Sequence, residues 1–226
     1  MKNWLTIGLF APVVAMAAEG PLFKEDFSGP NGTPLWPAGD PGFAVIHDEG
    51  AFTGGASQTS NVAGVELSSA EISDGFKMSV DFRLVNNVFF GLWFMGANDG
   101  SEGTGVAQNG YVIRLRGGDG LIQGLNFDVG TQSLGNSGWS TAPRIGGLAL
   151  DGSVNYRLEM VASPGSDGTT GVFEVTLTDT NTSTVVANRQ LTRDNAFTNP
   201  ETGGYFGLFA TGSAVRFSNF NIAIPE

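Results

Sequence analysis

The 226-residue chain contains no cysteine. That absence removes disulfides, Cys-based zinc sites, iron–sulfur clusters and thiol nucleophiles together. Histidine is almost missing as well. His47 is the single one, so a His-rich metal site is excluded and a Ser-His-Asp triad would depend on that position. Basic residues are few: 11 Lys and Arg stand against 22 Asp and Glu, a formal net charge of −11. A chain this acidic lacks the electrostatic footprint of a nucleic-acid binder. It also lacks the basic stripe that holds a protein to anionic lipid. No stretch of about a dozen residues carries an apolar stripe at helical period.

What is present starts with a leader-like segment. Met1-Lys2-Asn3 is a short positive start, Trp4 to Met16 is mostly apolar and uncharged, and Ala15-Met16-Ala17 is a small-x-small cleavage signal. The apolar run is too short to cross a bilayer comfortably. The pattern predicts a signal peptide over 1–18 and one domain over 19–226. The competing readings are a buried N-terminal strand and a membrane anchor. Export without cysteine suits a bacterial periplasm, cell surface or exterior, and a core of this size needs no disulfide staples. The sequons at Asn31 and Asn181 are read as incidental.

Beyond the leader the period is two. Lys77 to Leu84 alternates polar and apolar without error, Tyr156 to Met160 does the same, and Phe173 to Thr178 follows. Such segments are strands with one face buried and one solvated. Val88 to Met95 is apolar on both parities apart from Gly91, the mark of a strand covered on both sides. Turn signals separate the runs at Asn31-Gly32, Asp99-Gly100, Gly117-Gly118-Asp119-Gly120 and Pro164-Gly165-Ser166-Asp167-Gly168. The last strand breaks phase: Val215 and Phe217 hold one parity, Phe220 and Ile222 the other. A β-bulge near Ser218-Asn219 would keep all four inward. The expected fold is all-β, an antiparallel two-sheet sandwich or barrel.

Several phrases in order resemble one superfamily. Leu22-Phe23-Lys24-Glu25-Asp26-Phe27-Ser28-Gly29 looks like the opening strand of concanavalin A-like lectin/glucanase jelly rolls, the laminin G-like group. Ala44 to Gly50 and Gly64 to Leu67 are similar to its second segment. Asp74-Gly75-Phe76 through Arg83 resembles its "dgF" strand. Gly204-Tyr205-Phe206-Gly207-Leu208-Phe209, then Val215 to Ile222, looks like its closing pair. The resemblance covers nearly all of 21–224 and implies a concanavalin A-like jelly roll of secreted bacterial type. It leaves function open between lectin modules, glucanases, lyases and adhesion domains.

The resemblance also implies calcium at the rim. The group often carries Asp in a closing "F-D-N" phrase, but Ser218 stands there, a poorer calcium ligand than a carboxylate. Glu25 and Asp26 remain the candidate metal ligands, with a solvated strand end as the alternative. The Asn98 to Glu102 loop is oxygen-rich but lacks the spacing of a calcium loop.

Enzyme signatures of this fold are missing. Its glucanases use a Glu-x-Asp-x-x-Glu strand, and nothing here matches. Glycosidases need two carboxyls at a set separation, and neither Arg157-Leu158-Glu159 nor the Lys77 to Arg83 strand offers two on one face. The Arg-x-Glu-hydrophobic-Arg and Gln-Ile-His phrases of its lyases are absent. His47, in an expected turn, reads as a surface residue. A cross-strand carboxylate pair stays open.

Binding is the other class. Sugar rings present apolar C–H faces and hydroxyl edges, so their sites pair an aromatic platform with planar polar groups. Arg114 and Arg116 share a strand face, Asp81 and Arg83 another, and Asn126 with Asp128 a third. If those strands are neighbours, Asp81, Arg83, Arg114 and Arg116 form one hydrogen-bonding floor. The alternative is an exposed sheet of cross-strand ion pairs. Trp93 reads as core, whereas Trp36 and Trp139 read as loop residues, stacking platforms or anchors. The expectation is a non-catalytic module for a polysaccharide or glycan. The alternatives are a polysaccharide hydrolase or lyase with an atypical site, and a structural matrix or adhesion protein. The closing Pro225-Glu226 resembles the start of an exported protein's Pro-Glu-Pro sorting tail, against a plain secreted end.

Overall fold

The computed structural model describes residues 21–31, 43–52, 61–86, 89–96, 110–118, 121–127, 134–141, 150–197, 204–211 and 215–225. The leader at 1–18, Trp36, the Asn98 to Glu102 loop and Asp128 lie outside them. The strands are β1 (Phe23–Glu25), β2 (Phe43–Ile46), β3 (Glu49–Phe52), β4 (Asn61–Glu66), β5 (Phe76–Leu84), β6 (Phe89–Gly96) and β7 (Gly110–Arg116). Then come β8 (Leu121–Phe127), β9 (Leu134–Thr141), β10 (Tyr156–Pro164), β11 (Gly171–Asp179), β12 (Thr184–Arg193), β13 (Tyr205–Ala210) and β14 (Val215–Ala223). One helical turn, α1 (Ser69–Ile72), escaped the sequence pattern. It is too short for a periodic stripe, and a capping box between Ser68 and Glu71 holds it.

The strands form two antiparallel sheets. The eight-stranded sheet runs β12-β11-β10-β5-β14-β3-β2, with β1 also paired to β14. The six-stranded sheet runs β4-β13-β6-β7-β8-β9. The architecture is the all-β jelly-roll sandwich that the sequence predicts. Alternation decides the inner faces: β5 buries Phe76, Met78, Val80, Phe82 and Leu84, and β10 and β11 keep the same rhythm. Phenylalanines join the sheets across the core. Phe76 meets Phe206 edge-on at 4.9 Å, and Phe82 meets Phe90 at 4.5 Å between ring centroids.

Two local devices shape the eight-stranded sheet. The pairing of β14 with β5 shifts between Ser218 and Asn221, with Asn219 at φ +50°. This is the expected bulge, and it lets Val215, Phe217, Phe220 and Ile222 all reach the core. The β2–β3 hairpin turns on His47 and Asp48, at φ +53° and +61°. A two-residue loop with both residues left-handed matches strand twist but favours Asn-Gly. Here the Asn31 side chain accepts a 2.6 Å bond from the His47 amide and steadies the turn. His47 is exposed, as expected.

Candidate functional site

The sandwich divides the predicted floor between its two outer faces. Asp81 and Arg83 lie on β5, in the eight-stranded sheet, whereas Arg114 and Arg116 lie on β7, in the six-stranded sheet. The strands are not neighbours, so these four residues do not converge. The physical reason is pairing order: β5 sits between β10 and β14, far from it in sequence, which local alternation does not reveal.

On the eight-stranded sheet three outer cations, Lys77, Arg83 and Arg157, are matched to carboxylates. Arg157 grips Asp81 through two bonds of 2.6 and 2.9 Å, and Asn219 of the bulge adds a third at 3.0 Å. Arg83 grips Glu49 at 2.8 and 2.7 Å. Lys77 meets Glu159 at 3.0 Å. The hydrogen bonds to Asp81 and to Glu49 raise the Arg157 and Arg83 guanidinium pKa values respectively. Beside these pairs lies an open depression lined by Arg157, Glu159 and hydroxyls of Thr176, Thr178, Thr180 and Ser183. Asp81 and Arg83 thus take the form of the alternative, a sheet of cross-strand ion pairs.

The six-stranded sheet is built differently. Its strand β6 lies between β13 and β7 and is apolar on both parities, as expected. Phe90, Leu92 and Phe94 enter the main core. Trp93 faces the other way and forms a second buried cluster with Val112 and Phe209, flanked by Phe89 and Tyr205. Gly96 makes room for the indole, since a Cβ there would fall 1.9 Å from Trp93 Cζ2.

Next to that cluster stands Arg114, half-buried. It is opposite Gly91 in register and reaches diagonally to Phe89, its guanidinium carbon 4.3 Å from the ring centroid. Arg116, two residues on, lies 5.8 Å from the same ring. Gln123, opposite Arg114 on β8, accepts a hydrogen bond from its Nη2. No carboxylate bonds Arg114 among the described residues. Its Nε and the Trp93 Nε1 are buried and have no hydrogen-bond partner among the described residues. Burial, and then the charge of Arg116, push the Arg114 pKa down. At the far edge Tyr205 Oη donates to Glu66 Oε2 at 3.4 Å.

The remaining candidates fall into place around these two faces. Asn126 pairs with Tyr111 in register, on the opposite parity from Gln123. Trp139 is not in a loop but in β9. Gly138 pairs with Leu125 and Ser140 with Gly124, so Trp139 is the extra residue of a bulge in the same sheet as Arg114. The surrounding Gly and Ser signalled a loop, and sheet pairing overrode them. The side chains of Asn126 and Trp139 lie outside the described residues. Sequence reasoning missed Phe89 and Gln123. Register opposite Arg116 and Arg114 is the signal that finds them, and it exists only once strands are paired.

Glu25 and Asp26 spend their carboxylates locally. Glu25 Oε1 accepts the Phe27 amide at 2.7 Å, which supports Phe27 at φ +59°. Asp26 Oδ1 accepts the Ser28 hydroxyl at 2.7 Å and amide at 3.0 Å, and these bonds lower its pKa. Calcium takes six to eight oxygens, as a rule. Among the described residues no three His, Cys, Asp or Glu side chains group to hold a metal. Glu25 and Asp26 as placed do not fit a calcium site on their own.

A scan against protein-family profiles finds no match, and neither does a search of curated proteins. Solved structures give distant likenesses. A Caenorhabditis elegans galectin superposes with TM-score 0.42 at 10% identity, covering 72% of this chain and 90% of its own. Peanut lectin with a nine-residue peptide gives 0.46 at 11%, covering 90% and 97%. Lotus tetragonolobus seed lectin gives 0.38 at 10%, covering 79% and 82%.

Proposed function

We propose that the protein is a non-catalytic carbohydrate-binding module that works outside the cell. The observation that carries the reading is Arg114, laid on the Phe89 ring, bonded to Gln123 and without a carboxylate partner among the described residues. A planar donor fork backed by an aromatic ring is suited to the oxygen-rich edge of a sugar. The hydrolase alternative would need a free carboxylate pair, and on the eight-stranded sheet Asp81, Glu49 and Glu159 are each bound to a cation. The structural alternative draws on the buried Trp93, Val112 and Phe209, which already fill part of the same face. Export rests on the 1–18 pattern alone, and no described helix is long and apolar enough to cross a membrane.

The test is a polysaccharide panel incubated with the full chain, retention and product release being read from the same samples. Retention without product is expected. Product release would overturn the reading in favour of an enzyme. No retention on any polysaccharide would leave the structural role. Calcium enters as a separate proposal, checked by repeating the panel with chelator: loss of retention would support it, and unchanged retention would remove it.

A further inference from the structure

The geometry points to a specific ligand chemistry on this face, and the inference rests on the carbohydrate-binding function proposed for it. We propose that Arg114 receives the carboxylate of an acidic sugar, so that the ligand is a uronic-acid polysaccharide rather than a neutral one.

Two guanidiniums of like charge stand on one strand face, both against the Phe89 ring. The burial of Arg114, and then the repulsion between the two, oppose the charged state, as the lowered Arg114 pKa reflects. On the eight-stranded sheet Lys77, Arg83 and Arg157 are each supplied with a carboxylate, from the adjacent strand for Lys77 and Arg157 and from beyond β14 for Arg83. For Arg114 the next strands supply Gly91 and Gln123 instead. Gln123 accepts from Nη2 but brings no charge. An incoming carboxylate would supply the anion that the described residues do not give Arg114, in the planar two-oxygen form that a guanidinium fork matches.

The protein's own charge makes the preference informative. At −11 overall the chain repels polyanions at long range. Non-specific electrostatics therefore favours a neutral chain, and any preference for the acidic one must come from a local site.

The experiment uses a matched pair of ligands that differ only in charge: polygalacturonate and its fully methyl-esterified form. Affinity of the full chain for each is measured at physiological ionic strength with chelator present. The acidic chain is expected to bind at least about tenfold more tightly, the worth of one good charge-assisted contact. Arg114→Gln is expected to erase the difference. Arg114→Lys keeps the charge but loses the fork and is expected to recover only part of it. Thermal unfolding of each variant checks that the fold persists. Equal affinity for the two ligands would overturn this inference and leave the carbohydrate-binding function standing. A preference that survives Arg114→Gln would overturn the assignment to Arg114. Failure to bind these ligands or any polysaccharide of the panel would overturn both.

Discussion

The two outer faces of the sandwich use the same residue types to different ends. On the eight-stranded sheet Lys77, Arg83 and Arg157 each meet a carboxylate across the strands, at 3.0, 2.7 and 2.6 Å. On the six-stranded sheet Arg114 meets an aromatic ring and an amide. The first arrangement is closed: charges cancel in place and nothing further is needed. The second leaves donors and positive charge beside apolar surface. An arginine on an alternating strand therefore has no meaning by itself. Its cross-strand neighbours decide whether its charge is cancelled in place.

The sharpest way to break this contrast is to remove what holds up the six-stranded face. Trp93→Ala deletes the largest side chain of the second cluster, which rests against Val112 and Phe209. A loss of about 3–5 kcal/mol is expected from truncating a fully buried aromatic side chain. Chemical denaturation would measure it, and a loss below about 1 kcal/mol would show that the cluster does not anchor the face.

On the opposite sheet, Asp81→Ala releases Arg157 and the bulge residue Asn219 at once. The Asp81 side chain is only 13% exposed, whereas that of Arg157 is 47% exposed, so solvent screens part of the interaction. A loss of about 1–2 kcal/mol is expected on that basis. Polysaccharide retention should be unchanged. Loss of retention would put the ligand on the eight-stranded sheet and reverse the comparison.

Arg114→Met should behave in the opposite sense. It replaces a half-buried cation, short of an anion, by an apolar chain of similar length against Phe89. Stability is expected to stay within about 0.5 kcal/mol of the parent or to rise, because the buried charge contributes little without a partner. Retention should disappear. A strong destabilisation would mean that Arg114 is a structural residue like Arg83.

The contrast also shows which parts of the fold are legible in advance. The strands β5, β10 and β11 are legible because half-buried strands alternate, and this chain does so almost without error. The bulge in β14 is legible because a phase break in an apolar pattern has few other solutions. Sheet membership is not. Asp81 faces Arg157, far along the chain, and Arg83 faces Glu49 from the other direction. Alternation says that a residue points away from the core, never which of two outer surfaces it reaches. That is why the sequence pattern groups Asp81 and Arg83 with Arg114 and Arg116. Trp139 is misplaced for a related reason: its Gly- and Ser-rich surroundings have low strand propensity, but pairing with β8 supplies what propensity lacks.

The smallest effect expected concerns a charge that locks a turn rather than a face. Asp167 lies in the β10–β11 turn, where Oδ2 accepts the Thr170 hydroxyl at 2.7 Å. Oδ1 accepts the Thr170 and Thr169 amides at 2.8 and 2.9 Å. These bonds hold its pKa at about 2. An unfolded Asp titrates near 4, at about 3.9. The folded state thus binds this proton less readily than the unfolded state. Its contribution to stability is complete above about pH 4 and is lost as the pH falls towards 2. Asp167→Asn removes that proton linkage. The melting temperature of the variant should lie slightly below the parent's at neutral pH, and the gap should narrow between pH 4 and 2. Asn accepts hydrogen bonds but carries no charge to lose, so a gap that stays constant on acidification would show that the turn depends on geometry alone. A gap that closes would place part of the protein's acid sensitivity in this turn.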